Sequence, residues 1–245
     1  MVRGILRRMS EPRTLPPLRL IAVCSGRAQG FTVGERKFRS AILKAPVSGR
    51  VALTADGVAG DQQADRRFHG GTEKAVYLCG AEHYAAWAAA LATTPWPPGT
   101  LGENLTLGGA AELERVLCVG DTLQLGTGHD APQLELTTPR QPCWKLETRI
   151  GIAGFAKAFV QSRRLGSYAR VVRSGTIAAG DPVTLVARQP RAATLHDLIG
   201  ALHLADHAAQ ERVLAQEGLP AALRRKLERA LRERSSAPID AGETG

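Results

Sequence analysis

The chain has four cysteines, Cys24, Cys79, Cys118 and Cys143, and one of them stands in a setting that favours a thiolate. Cys143 lies in the run Thr138-Pro139-Arg140-Gln141-Pro142-Cys143-Trp144-Lys145. Pro142 suits a helix start, and Arg140 and Lys145 place cations on either side. A helix N-terminus and neighbouring cations both lower a thiol's pKa. The resulting thiolate is a nucleophile and also a soft metal ligand. A buried structural thiol explains Cys143 equally well on local chemistry alone, and it is the reading for Cys24, Cys79 and Cys118. The cysteines are far apart and form no C-x-x-C pair, so a structural zinc site or an iron–sulfur cluster has no support.

Two further segments concentrate polar chemistry. Gly60 to Gly71 reads Gly-Asp-Gln-Gln-Ala-Asp-Arg-Arg-Phe-His-Gly-Gly. Its glycines, including Gly70 and Gly71, allow a ligand close to the backbone. His69 and the arginines offer donors to anionic oxygens, and Gln63 carries both donor and acceptor. A tight turn with a solvated charge run accounts for the same residues. In Gly102-Glu103-Asn104-Leu105, Asn104 suits the edge of a heterocycle, or simply turns the chain into a strand. Asp61, His69 and Glu103 are the candidate proton donors, and the sequence does not choose among them. His83 reads as structural, beside an apolar helix face. His129, His196, His203 and His207 read as surface residues.

These segments must be held by a strand-rich body. Leu18 to Cys24, Ser40 to Val47, Val51 to Leu53, Lys74 to Cys79, Asn104 to Leu107, Thr122 to Leu125, Gln133 to Thr138, Ser167 to Arg173, Gly175 to Ile177 and Pro182 to Ala187 read as strands. Helices are expected at Ala81 to Leu91, Cys143 to Arg149 and Ile152 to Arg163. Short strands punctuated by Gly and Pro favour a mainly β barrel over an alternating α/β sheet. After Gln189-Pro190 the pattern becomes helical. Thr194 and Asp197 form a capping-box-like start, Asp206 caps a second helix, and Pro220 opens a third in which Leu219, Leu223, Leu227 and Leu231 recur. The expected organisation is a flexible basic tail over 1–17, a barrel over 18–190, a three-helix appendage over 191–235 and a disordered tail over 236–245. If the late helices cover one another, a chain truncated after Arg188 still folds.

The formal net charge of +9 at pH 7 is gathered at the ends. Arg3, Arg7, Arg8 and Arg13 against Glu11, with Arg224, Arg225, Lys226, Arg229, Arg232 and Arg234 against Glu228 and Glu233, account for 7 of the 9 charges. The remainder is near neutral and carries no aromatic-interleaved basic stripe, which argues against nucleic acid. No stretch approaches the ~18 apolar residues of a membrane span, and no secretory leader is evident. Reduced thiols and a cytoplasmic location are expected.

Taken in order, these runs resemble the MOSC domain family, in its YiiM-like branch. The runs are Gly60-Asp61-Gln62-Gln63-Ala64-Asp65, His69-Gly70-Gly71, Ala75-Val76-Tyr77, Glu82-His83-Tyr84 with Trp87, Gly102-Glu103-Asn104-Leu105, Val119-Gly120-Asp121, and Pro139-Arg140-Gln141-Pro142-Cys143 with Lys145-Leu146. No run is specific alone; their order and spacing cover about residues 20 to 187. The late helices resemble the three-helix appendage of that branch. Relatives tend to carry an aromatic near Cys79, where this chain has Cys. The resemblance implies a β-barrel that binds the molybdenum cofactor (molybdopterin), with Cys143 as the metal ligand. It implies reduction of N-hydroxylated compounds, such as hydroxylamino-purine base analogues, and a homodimer. The donors near Arg140, Lys145 and His69 would hold the pterin phosphate, with Gly70, Gly71, Asn104 and Gln63 as further cofactor-binding candidates. Reducing N–OH needs a two-electron store that no side chain here supplies. No G-x-G-x-x-G fingerprint opens a βαβ unit, so the electrons are expected from an external flavin or iron–sulfur reductase. Two rival readings remain: a molybdenum cofactor or sulfur carrier without reductase activity, and a cysteine hydrolase using Cys143 and His69.

Overall fold

A computed structural model describes residues 15–64, 70–189, 192–216, 219 and 221–235. The elements run β1 (Leu18–Ser25), β2 (Gln29–Val33), β3 (Arg36–Ser40), β4 (Ala45–Pro46), β5 (Val51–Thr54), β6 (Gly57–Val58), β7 (Val76–Gly80), α1 (Glu82–Ala90), β8 (Leu105–Gly108), α2 (Leu113–Val116), β9 (Thr122–Leu125) and β10 (Gln133–Pro139). They continue with α3 (Trp144–Ile150), α4 (Phe155–Gln161), β11 (Ser167–Arg173), β12 (Gly175–Ile177), β13 (Pro182–Ala187), α5 (Leu195–His203), α6 (His207–Leu214) and α7 (Ala221–Ser235).

Seven strands close on themselves in the order β13-β9-β10-β11-β7-β8-β1, and β1 returns to β13 with Leu18 opposite Val183. Closure leaves no unpaired edge in the barrel. The pairings are antiparallel apart from β7 with β8, which α1 and the segment beyond it connect. The expected mainly β barrel is therefore present.

Strand β7 shows how the sequence divides the core. Successive side chains on a strand point to opposite faces. Val76 and Leu78 join one cluster with Leu20, Leu107, Leu123 and Leu134, inside the barrel. Tyr77 and Cys79 join a second cluster, outside it, with Tyr84 and Trp87 of α1, Leu146 of α3 and Phe155 and Phe159 of α4. The outer cluster is aromatic: Trp87 lies 4.8 Å from Phe155, ring centre to ring centre. Burying Phe155 and Phe159 stabilises the fold by about 1.5–3 kcal/mol each.

The late helices begin as the sequence indicates. The Thr194 hydroxyl accepts a hydrogen bond from the Asp197 N–H at 3.1 Å, and the Asp206 carboxylate accepts one from Ala209 N–H at 3.0 Å. Their independence is another matter. Leu195, Leu198 and Ala201 of α5 belong to the same apolar cluster as the barrel interior, while Ile199 belongs to the aromatic one. The Leu195 N–H also donates to Leu117 O at 2.8 Å. The change of secondary structure near residue 190 is thus not a break in the core. The late helices do not cover their apolar faces by themselves, because α5 is shared with the body. The expected tails over residues 1–14 and 236–245 lie outside the described residues. No described helix is long and apolar enough to cross a membrane.

The largest departure from the sequence reading lies between β1 and β5. A strand was expected from Ser40 to Val47. Instead β2 and β3 form a separate hairpin, with Phe31 opposite Phe38, and only Ala45–Pro46 pair with β1. Most hairpin residues are exposed on both faces, so the apolar alternation that marks a half-buried strand is absent.

Candidate active site

Strand β10 runs out at Pro139, opposite Ser167 of β11, and delivers Arg140 to Cys143 beside the outer aromatic cluster. Cys143 is the N-cap of α3, with extended backbone (φ −127°, ψ 169°), and is half-buried. The helix stops at Gly151, whose left-handed φ of 75° disfavours any residue with a Cβ.

Cys143 lines a cleft together with Ile42, Lys44, Asp61, Lys74, Arg140 and Lys145. Four cations there face one carboxylate among the described lining residues. Arg140 is buried and donates to the Leu101 carbonyl, and its guanidinium carbon lies 4.6 Å from the centre of the Tyr77 ring. Burial opposes its charge, but Tyr77, Tyr168 and Cys143 outweigh burial and hold the guanidinium above its ordinary range. Arg140 is therefore a fixed cation.

Lys44 and Asp61 form an ion pair with side chains only 9% and 7% exposed. Buried pairs of this kind are costly to break, by about 3–5 kcal/mol, because one charge is left uncompensated. The Asp61 carboxylate is further fixed by the Gly26 N–H at 2.8 Å and by Asn104 Nδ2 at 2.9 Å. Burial, above all, pushes the Lys44 ammonium below its usual range; Arg140 adds to this and Asp61 opposes it.

The other sequence candidates fall into three groups. Asn104 and Gln63 line the cleft but are engaged with the backbone. Asn104 Oδ1 accepts the Tyr77 N–H at 3.2 Å, and Gln63 Oε1 accepts the Gly71 N–H at 3.3 Å. They brace the walls. Gly70 and Gly71 stand at the return of the same loop and are not among the lining residues, and neither is Glu103. Glu103 is fully buried; its Oε1 accepts from Tyr84 OH, from Gly99 N–H at 2.7 Å and from Thr106 Oγ1 at 2.9 Å. His69 lies outside the described residues.

The sequence reading missed Lys44, Lys74, Tyr77 and Tyr168, all of which line the cleft. Lys44 carried a signal: it is a lone lysine between Ala41-Ile42-Leu43 and Ala45. A cation set in an apolar run needs a buried partner. The tyrosines gave none, because on strands they read as core.

The residues suit an anionic group that carries a soft metal. The cations outnumber the carboxylate, and one thiol is at hand. Gly102 (φ +82°) lines the cleft where an added Cβ would meet Ile42 Cγ1 at 3.1 Å. Among the described residues no cluster of three or more His, Cys, Asp or Glu is arranged to hold a metal ion. Among the described lining residues, Cys143 is the one sulfur ligand on offer to a metal.

Comparison with known proteins identifies the family. The model of the MOSC domain matches residues 65–184. The uncharacterized protein YflK of Bacillus subtilis is 35% identical over 163 residues, which is 66% of this chain and 71% of that protein. A protein of Gibberella moniliformis named Reductase is 36% identical over 171 residues, 69% of this chain but 29% of that longer protein. The crystal structure of YiiM from Geobacillus stearothermophilus superimposes with a TM-score of 0.67 at 28% identity, covering 88% of this chain and 100% of that one.

Proposed function

The chain belongs to the MOSC domain family, and from that premise we propose that its cleft holds the molybdenum cofactor and serves to reduce N-hydroxylated compounds. The observation that carries this reading is the placement of one half-buried thiol, Cys143, in a cleft where four cations face one carboxylate. The relative named Reductase supports an oxidoreductase reading.

When bound, the cofactor supplies the two-electron chemistry that side chains lack. Arg140, Lys145, Lys44 and Lys74 would hold its anionic groups, and Cys143 would offer sulfur to the metal. The overall change is R–NHOH plus two electrons and two protons to R–NH2 and water, with electrons from an external flavin or iron–sulfur reductase. Proton delivery falls to the Asp61–Lys44 pair. Lys44 Nζ, weakened as an ammonium by burial, is readied to give a proton to the departing hydroxyl, and the adjacent Asp61 carboxylate holds it in place. Glu103 is turned to Tyr84 and Thr106 and supports the wall instead.

The test uses the full chain made in two hosts, one able and one unable to make the cofactor. Protein from the first should contain molybdenum and pterin in proportion to chain and reduce a hydroxylamino-purine with an artificial electron donor. Protein from the second should do neither. Metal-free protein from both hosts, or equal turnover by both, would overturn the reading. Bound cofactor without turnover would favour a carrier.

A further inference from the structure

Beside the cleft lies a second chamber, lined by Phe31 and Phe38 of the β2–β3 hairpin, by Ile42 and Leu43 after it, and by Lys145 and Arg149 of α3. Ile42 and Lys145 line both spaces, so the two are neighbours across those residues. The chamber is half open to solvent and has a volume of about 210 Å³.

Its walls differ in kind. Phe31 and Phe38 stack with ring centres 5.2 Å apart, and Phe38 meets the edge of Trp144 at 4.5 Å. Lys145 and Arg149 are four residues apart and so share one face of α3. No carboxylate is among the described lining residues. The Nε of Arg149 is buried without a hydrogen-bond partner among the described residues. Arg149 therefore lines the chamber as a cation with no carboxylate opposite it among the described lining residues, and an oxyanion would complement that charge.

We propose that this chamber is the substrate subsite, and that it selects N-hydroxylated compounds whose nitrogen is attached to an aromatic ring bearing an oxyanion such as a carboxylate or phosphate. The proposal rests on the reductase reading for the chemistry at Cys143, but its binding claim stands on the chamber alone. The ring lies against Phe38 and Leu43, the oxyanion meets Arg149, and the N-hydroxyl group is directed past Ile42 towards Cys143.

The test is calorimetric binding of two amines, 4-aminobenzoate and aniline, to the full chain. Neither amine can be reduced further, so no cofactor or electron donor is needed. The wild type should bind 4-aminobenzoate about tenfold more tightly than aniline, as expected for one charge-assisted hydrogen bond. Arg149→Gln should abolish that preference and leave aniline binding unchanged. Phe38→Ala should weaken both ligands severalfold. Equal binding of the two amines by the wild type, or a preference that survives in a folded Arg149→Gln variant, overturns the proposal. If Arg149→Gln does not fold, Arg149→Lys replaces it, and the preference should then fall but persist. Turnover of 4-hydroxylaminobenzoate is measured separately on loaded protein. Its absence beside the predicted binding pattern would sink the reductase reading and leave the subsite standing.

Discussion

Cys143 sits half-buried in a cleft rich in cations, whereas Cys79 is fully buried beside a histidine and an acid. By composition Cys79 is the more suggestive of the two. Its Sγ lies 3.3 Å from His83 Nδ1, and His83 Nε2 lies 3.0 Å from Glu114 Oε2. Thiol, imidazole and carboxylate in line are the parts of an activated nucleophile. Yet burial, followed by the carboxylates of Glu103 and Glu114, drives the Cys79 thiol well above its ordinary pKa. Glu114 is committed on its other side to the Gly166 N–H at 2.7 Å. This trio ties β7 and α1 to α2 and to the start of β11. A reactive cysteine is made by access and the sign of the surrounding field, and a well-formed polar triad supplies neither.

The contrast can be broken most severely at Cys143. Cys143→Ser should reduce turnover of N-hydroxylated substrate by loaded protein to background, with a stability change of about 1 kcal/mol or less, because the swap conserves volume. Near wild-type turnover would remove the thiol from the chemistry. Alkylation of the native protein near neutral pH, followed by mass spectrometry, should modify Cys143 at least about a hundredfold faster than Cys24, Cys79 or Cys118, which must await opening of the fold. Comparable rates would erase the distinction. His83→Leu tests the other side: it leaves Glu114 and the Cys79 thiol without their partner. Urea unfolding should show a loss of about 3 kcal/mol, while turnover per folded molecule stays near wild type. A catalytic His83 would reverse that pattern.

The smallest effect concerns pH. Burial, then Glu103, pushes the Cys24 thiol up from its ordinary 9.0 to about 12, while Lys44 opposes this. Between those values the unfolded chain has lost a proton that the folded chain keeps. Stability from this group is therefore full below pH 9 and declines as pH rises towards 12. Cys24→Ala should flatten the alkaline fall in melting temperature, and an unchanged profile would assign the fall to other groups.

Much of the barrel was legible because its strands are short runs set off by Gly and Pro, several of them buried throughout. The bounds of β9 and β12 match those read from sequence, and β11 and β13 do as well. Cys143, Asp61, Arg140 and Lys145 stood out in the sequence as candidates, and the fold gathers them in one cleft. Asn104 and Gln63 also line the cleft: Asn104 Oδ1 and Gln63 Oε1 accept backbone N–H groups, and Asn104 Nδ2 donates to the Asp61 carboxylate. The hairpin was illegible because solvent covers most of it and no period is imposed. Lys44 was missed because a strand was drawn through the segment that instead bends to bring it to Asp61. The shared core of α5 was missed because an amphipathic period states that a face is buried, not against what.

The pairing of Leu18 with Val183 has a temporal meaning. The first strand of the barrel waits for the last, so the barrel cannot close during synthesis until nearly all of its strands have left the ribosome. Local pieces such as the β2–β3 hairpin can form early, but the step that completes the barrel joins residues far apart in sequence, and such contacts are slow to form. Until then β1 has a strand edge exposed to other chains. Refolding yield should accordingly fall with protein concentration more steeply than native stability would suggest, because assembly at that seam competes with its closure.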